Sequence, residues 1–129
     1  MFLKNKNMVK KILFISTLGL LSFKSSEIIY VGTASYYGQN WTGRLTSSGE
    51  KFHKDSLTAA HKHFKFGTVV KVTNLSNDSV RYVKINDRLP KPSKHLIDLS
   101  YGTAKELNFL KKGITKVTIE PVDTVPIKK

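Results

Sequence analysis

An acid at the end of an apolar strand face is the first feature of this chain that suggests chemistry. In the run SVRYVKIN (residues 79–86), strand periodicity puts Val83 and Ile85 on one face, and Asp87 continues that face at the end of the run. A carboxyl where an apolar face meets water is partly desolvated. Desolvation raises its pKa and favours the neutral, proton-donating form, which is what a general acid requires. The alternative is an Asp that only caps the turn before Arg88, Leu89 and Pro90. His61 and His63 lie two residues apart. Two imidazoles without a third ligand make a weak zinc site, so no metal and no cofactor are expected, and His53 and His95 read as surface residues. The chain has no cysteine. That excludes a thiol nucleophile, a disulfide framework, a Cys-type zinc site and a lipid-modified N-terminal cysteine.

Residues of this kind need a frame, and the surrounding sequence reads as mostly β. Residues 30–37 (YVGTASYY) and 68–75 (TVVKVTNL) are rich in β-branched and aromatic side chains and end in turn chemistry. Ser76, Asn77 and Asp78 suit a hairpin turn that leads into the run ending at Asp87. Residues 114–122 (ITKVTIEPV) form a last strand, with Val117 and Ile119 on one face. One helix is expected from about Ser100 to Leu107, with Ser100 as its N-cap and Gly102 as an unfavourable interior residue. Short strands and one helix in so few residues suggest a small closed barrel, which also removes exposed strand edges.

The chain has 129 residues and a mass of 14.6 kDa, room for one domain of ordinary size. Apolar residues make up 40% and charged residues 24%, which excludes wholesale disorder. The net charge of +13 points to a polyanionic partner. The N-terminus alters that reading. Lys4, Lys6, Lys10 and Lys11 precede an uncharged apolar run at residues 12–23, the pattern of a secretory signal peptide, which has an apolar stretch of roughly 7–15 residues. The run is shorter than the roughly 20 residues of a membrane-spanning helix. Residues 1–26 are therefore expected to be a leader, cut near Ser26 or kept as an anchor that is the chain's one link to the membrane. Residues 27–122 are then the domain and 123–129 a loose tail. Without the leader the charge is +8, from 17 basic and 9 acidic residues. An exported protein does not meet chromosomal DNA, so no nucleic-acid partner is expected.

Four segments, read together, carry a resemblance. They are GTASYYG (residues 32–38), TSSGE (46–50), LTAAH (57–61) and INDRLP (85–90), the last followed by LIDLS (96–100). In order and spacing the chain resembles the rare-lipoprotein-A (RlpA-like) family of bacterial envelope proteins over roughly residues 30–122. The resemblance implies a six-stranded double-psi β-barrel with one or two short helices. It also implies lytic transglycosylase action on peptidoglycan glycan strands, with a preference for strands lacking stem peptides, in the periplasm or cell envelope. Carried over residue by residue, it marks Asp87, Glu50 and His61 as catalytic. The family mostly has Gly where Leu89 stands, Trp where Tyr36 stands and Arg where His95 stands. A Gly there lets backbone or substrate approach closely, so Leu89 narrows that part of the groove.

Such enzymes cleave after N-acetylmuramic acid without water. An acid protonates the glycosidic oxygen, an oxocarbenium-like centre develops, and the tethered 6-hydroxyl closes onto it. The resemblance implies Asp87 as acid and base, with Glu50 either stabilising the positive centre or sharing a proton with Asp87. On its own Glu50 reads as a solvated loop residue. His61 orients a carboxylate or sugar hydroxyl, or is a hydrogen-bonded structural residue. Tyr36, Tyr37, Trp41 and Tyr82 are candidates to stack on sugar rings, or pack in the core. Thr46, Ser48, Asn86 and Arg88 can hydrogen-bond sugar hydroxyls or N-acetyl groups; Arg88 can instead pair with Asp98, which also suits a helix cap. Two other classes remain in view. One is a barrel that binds glycan without cutting it, favoured by Leu89. The other is a basic nucleic-acid binder, which requires residues 1–26 to be a cytosolic helix. A monomer is expected.

Overall fold

The computed structural model describes residues 27–122; the expected leader and tail lie outside the described residues. Six strands run in the order β1 (Tyr30–Tyr36), β2 (Thr58–Ala60), β3 (Val69–Asn74), β4 (Val80–Asp87), β5 (Ile97–Leu99) and β6 (Thr115–Val122). Among the described residues, one α-helix, α1 (Tyr101–Glu106), lies between β5 and β6, and a single 3-10 turn spans Gln39–Trp41. The strands close into a barrel in the order β1-β5-β2-β4-β3-β6. The β1/β5 and β2/β4 pairs are parallel and the other pairs are antiparallel. Closure leaves no free edge for another chain to pair with.

Alternation decides which side chains enter the barrel. Val70 and Val72 of β3, Val83 and Ile85 of β4, and Val117 and Ile119 of β6 are all buried. Ala34, Ala59, Ile97 and Leu99 join them from the shorter strands. Leu107 and Phe109, just after α1, close the same cluster. Each large apolar side chain removed from water in this way contributes roughly 1.5–3 kcal/mol.

The strands expected over residues 30–37, 68–75, 79–86 and 114–122 form as β1, β3, β4 and β6, to within a residue or two at each end. Ser100 caps α1 as expected, its hydroxyl accepting from the Thr103 N–H at 3.2 Å. Gly102 has a packing reason. Its N–H donates to the Lys54 carbonyl at 2.7 Å, and a Cβ there would meet the Asp55 Cα at 2.9 Å, so the 54–55 loop fits against α1 only above a glycine. β2 and β5 were not expected from the local pattern, although the six strands that the resemblance implies include them. Each is three residues long, too short for periodicity to register, and each is held by neighbours on both sides.

Candidate active site

One row of paired residues crosses four strands on the outer face of the barrel. Ser35 of β1 pairs with Asp98 of β5, Asp98 with Ala60 of β2, and Ala60 with Asp87 of β4. The residues on either side of Asp98, Ile97 and Leu99, point into the core, so Asp98 points out. The register shifts between Ala59 and Ala60: Ala59 pairs with Ile85, and Ala60 with Asp87. Asn86 is the extra residue of that bulge, and it corrects the expectation that Asp87 continues the face of Val83 and Ile85: the bulge turns Asp87 off that inward face and onto the outer one.

Asp87 and Asp98 line one groove of about 420 Å³, with Tyr37, Trp41, Arg88 and Leu89 among its other walls. Asp87 is densely hydrogen-bonded. Its Oδ1 accepts from the Ser47 N–H at 3.0 Å and the Arg88 N–H at 2.9 Å, and its Oδ2 from the Tyr37 hydroxyl at 2.8 Å. Burial pushes its carboxyl up, but the donors from Ser47, Tyr37 and Arg88 outweigh burial and hold it below the usual aspartate value. This corrects the expectation of a neutral, proton-donating Asp87. The desolvation is present, but the hydrogen bonds favour the charge more.

Asp98 is the opposite case. One donor reaches it, the Ser35 hydroxyl at 2.6 Å on Oδ1. Burial pushes its carboxyl above the usual value and the nearby negative charge of Asp87 adds to the rise; the Ser35 bond and His95 oppose it. Arg88 does not pair with Asp98. Its guanidinium lies 4.1 Å over the Phe66 ring and donates to the His61 carbonyl at 3.3 Å.

Glu50 is exposed and forms an ion pair with Lys84 at 2.9 Å, which holds its carboxyl below the usual value. The proton-sharing pair of Glu50 with Asp87 is not formed, because a cation on β4 has taken its place. The backbone of the same loop does reach the site. Ser47 donates to Asp87, and the Ser48 N–H donates to the Asn86 carbonyl at 3.2 Å. Thr46 and Ser48 spend their hydroxyls on each other at 2.9 Å, with Thr46 also donating to the Glu50 carbonyl. Thr46, together with Tyr37, Trp41 and Asp87, lines a smaller hollow next to the groove.

His61 is buried. Its Nδ1 accepts the main-chain N–H groups of His63 and Phe64 at 3.1 Å each, its ring stacks on Phe64 at 3.9 Å, and the His61 main-chain N–H donates to the Asp87 carbonyl at 3.2 Å. Burial, helped by the charges of His63, Arg88 and Lys62, lowers its pKa to about 4. It is therefore neutral at pH 7, with its proton on Nε2. Its side chain faces a separate hollow lined by His63, Lys62, Lys94 and His95, not the groove of Asp87. His95 is half-buried, not a surface residue, with Nδ1 3.0 Å from the Thr33 hydroxyl.

The aromatic candidates divide. Trp41 is 47% exposed, lies 6.2 Å from the Tyr37 ring and carries the Arg44 guanidinium 4.6 Å over its face. Burial and the neighbouring carboxylates push the Tyr37 hydroxyl pKa up, so it remains a donor. Tyr36 meets Phe109 and Tyr101 edge-on and donates its hydroxyl to the Leu110 carbonyl at 2.8 Å, so only part of it borders the groove. Tyr82 lies on β4 opposite Lys71 and lines none of these hollows. Asn86 is 2% exposed, which leaves it no surface to offer a sugar. The residues that sequence reasoning missed are Ser47, whose contribution is a main-chain N–H, Ser35, and Asp98 as a groove acid. The alternation of Ile97, Asp98 and Leu99 was the one available signal.

A family model described as lytic transglycolase, of the double-psi β-barrel type, matches residues 29–119. The chain is 43% identical over 102 residues to a probable endolytic peptidoglycan transglycosylase RlpA of Treponema pallidum, covering 78% of this chain and 32% of that protein. It is 42% identical over 95 residues to the endolytic peptidoglycan transglycosylase RlpA of Pseudomonas aeruginosa, covering 74% and 28%. The chain thus spans about a third of the length of the curated relatives it matches. Two solved structures share the fold. A Streptomyces papain inhibitor has a TM-score of 0.60 at 21% identity, covering 74% of this chain and 94% of that one. A mutant Clavibacter michiganensis expansin in complex with cellohexaose has a TM-score of 0.62 at 16% identity, covering 79% and 54%.

Proposed function

The chain belongs to the lytic transglycolase family of double-psi β-barrels, and from that premise we propose that it cleaves peptidoglycan glycan strands at the bond after N-acetylmuramic acid, leaving 1,6-anhydro ends. The observation that carries this reading is the groove itself. An ionised Asp87, held by three hydrogen bonds, stands in an open cleft beside the exposed Trp41. A fixed negative charge facing an anomeric carbon stabilises the oxocarbenium-like centre as it forms. The departing oxygen takes a proton from a carboxyl of the groove; the 6-hydroxyl of the same sugar closes onto that carbon, with no need for an activated water, and its proton returns to the carboxyl.

Within this reading Trp41 and Tyr37 are the platform for a sugar ring. Arg88 and Thr46 border the cleft and contact sugar hydroxyls. Glu50 acts through its loop: the Lys84 ion pair and the Thr46 bond keep Ser47 over Asp87. His61 anchors the turn after β2 and, through its N–H, the backbone of Asp87. The place of action is the cell envelope, and strands without stem peptides fit an open groove with one aromatic platform.

The test is a digest of purified glycan strands, with and without stem peptides, read by mass spectrometry for products one water lighter than hydrolysis gives. Anhydro ends from the wild type that vanish with Asp87→Asn are the expected result. A second reading, a barrel that holds glycan without cutting it, is favoured by Leu89, which is buried in the groove wall. Co-sedimentation with the strands and no anhydro ends would select it.

A further inference from the structure

Beside the groove with its two carboxyls lies a hollow of about 340 Å³ that holds none among the described residues. Lys62 and Lys94 line it, with His61, His63 and His95. The strands that build the groove also build this hollow. Ser35 of β1 reaches Asp98, and two residues earlier, on the same outward face, the Thr33 hydroxyl lies 3.0 Å from His95 Nδ1. Two residues of strand span about 7 Å, so a substituent on a sugar seated beside Asp98 reaches the hollow. Two of its donors are fixed. The Lys62 ammonium gives one N–H to the Ser93 carbonyl at 2.6 Å and keeps others to offer. His61 is 5% exposed, and two main-chain N–H groups occupy its Nδ1. Its ring proton is therefore on Nε2, which has no protein acceptor among the described residues and faces the hollow. A nearly buried donor left without an acceptor is costly, and an oxygen entering the hollow answers it.

We propose that this hollow is a carboxylate subsite, and that it reads the free lactyl carboxylate of a muramyl residue without a stem peptide. The inference rests on the glycan-strand reading above, and it gives the preference for peptide-free strands a physical source. Every muramyl residue carries a lactyl ether. With a stem peptide attached, that group ends in a neutral amide followed by bulk. Without one it ends in a carboxylate, whose two oxygens are acceptors only. The His61 Nε2–H donates to one oxygen and fixes its position. The Lys62 and Lys94 ammonium groups supply charge-assisted bonds, which are stronger than neutral ones. The cations that help keep His61 neutral, Lys62 among them, favour an anion in the same place. Exposed lysines elsewhere on the chain attract any polyanion. Only here do lysines stand beside an immobile, unpartnered imidazole donor among the described residues.

The test measures binding by the full chain in an Asp87→Asn background, which leaves the strands uncut. Three preparations are compared: peptide-free strands, the same strands with their lactyl carboxyls converted to methylamides, and strands with stem peptides. Peptide-free strands are expected to bind about 10- to 100-fold more tightly than their methylamides. Lys94 is exposed, so Lys94→Gln leaves the fold intact. It is expected to weaken binding to peptide-free strands by about 3- to 10-fold, Lys62→Met by at least as much, and both to leave methylamide binding within about twofold. Lys111 is exposed and lines no part of the hollow, so Lys111→Gln is expected to change either affinity by less than about twofold. Equal affinity for peptide-free and methylamide strands overturns the proposal. So does an equal loss on both in Lys94→Gln, the mark of a structural role, or a loss in Lys111→Gln as large as in Lys94→Gln, the mark of charge without a site. Peptide-bearing strands that bind as tightly as peptide-free ones, and weaken equally in Lys94→Gln, assign the hollow to a peptide carboxylate and overturn the lactyl reading. A protein that binds none of the three removes the glycan-strand reading, and the inference with it. Binding to all three without the carboxylate effect removes only the subsite.

Discussion

The two sides of the barrel are built differently. On one side, β3, β4 and β6 are six to eight residues long, with β3 antiparallel to both of the others, and they fill the core with Val70, Val72, Val83, Ile85, Val117 and Ile119. On the other, β2 and β5 are three residues each and depend on their neighbours for every pairing. The groove opens on the short side, where the row from Ser35 to Asp87 crosses the surface. Long antiparallel strands supply cohesion, and short strands between them bring side chains from distant parts of the sequence to one face. Stability and chemistry are thus carried by largely different residues.

The sharpest way to break that comparison is Asp87→Asn. Its anhydro product is expected to fall by at least about a hundredfold, because a neutral amide cannot balance the developing cation. Its stability loss should be modest, about 1–3 kcal/mol, as the Ser47 and Arg88 donors lose part of their acceptor. A chain that unfolds without Asp87 would show that the groove carries cohesion too. Ile119→Ala tests the opposite side. Ile119 is fully buried, and denaturant unfolding should register a loss of about 2–5 kcal/mol, with activity per folded molecule unchanged. Lost activity at full stability would contradict the division.

A third prediction concerns pH. The pKa of His61 is lowered from 6.5 to about 4 by burial, so the unfolded chain takes up a proton that the folded chain refuses. The stability it contributes is fully present above pH 6.5 and is lost as pH falls toward 4. The difference is at most about 3 kcal/mol over that window. Thermal melts of wild type and His61→Gln should show the wild type losing more stability between pH 7 and pH 4. Parallel curves would mean that His61 is protonated in the fold. The smallest effect is expected at the rim. Glu50→Gln removes an exposed ion pair, which should leave the melting temperature near that of wild type and cost far less activity than Asp87→Asn. A loss matching that of Asp87→Asn would place Glu50 in direct contact with substrate.

Much of the long-stranded side was legible before any coordinates. Val83 and Ile85 alternate with polar residues, Ser76 to Asp78 supply a turn, and Ser100 stands where a helix cap belongs, so local rules determine β3, β4, β6 and α1. The short side was legible only through the resemblance. Thr58–Ala60 and Ile97–Leu99 are too short for period 2 to be recognised, and they become strands because longer neighbours offer them hydrogen bonds. The candidate site divides in the same way. Asp87 was visible as an acid at a strand end, and Trp41 as an aromatic among loop residues. The burial of Asn86 follows from a bulge, and the commitment of Tyr36 to Phe109 follows from barrel closure. Neither has a local signature.

The sequence by itself determined the barrel class, the inward faces of the long strands and the presence of an acid at the end of β4. Residue type and period-2 geometry are enough for that. Only the tertiary structure decided the charge state of that acid. The donors that hold Asp87 ionised include the Ser47 N–H, forty residues earlier, and the Tyr37 hydroxyl, fifty earlier. It also decided that Asp98 is the carboxyl beside it, and that Glu50 pairs with Lys84. A pKa is set by the groups within a few ångströms, and which groups those are depends on how the chain closes on itself.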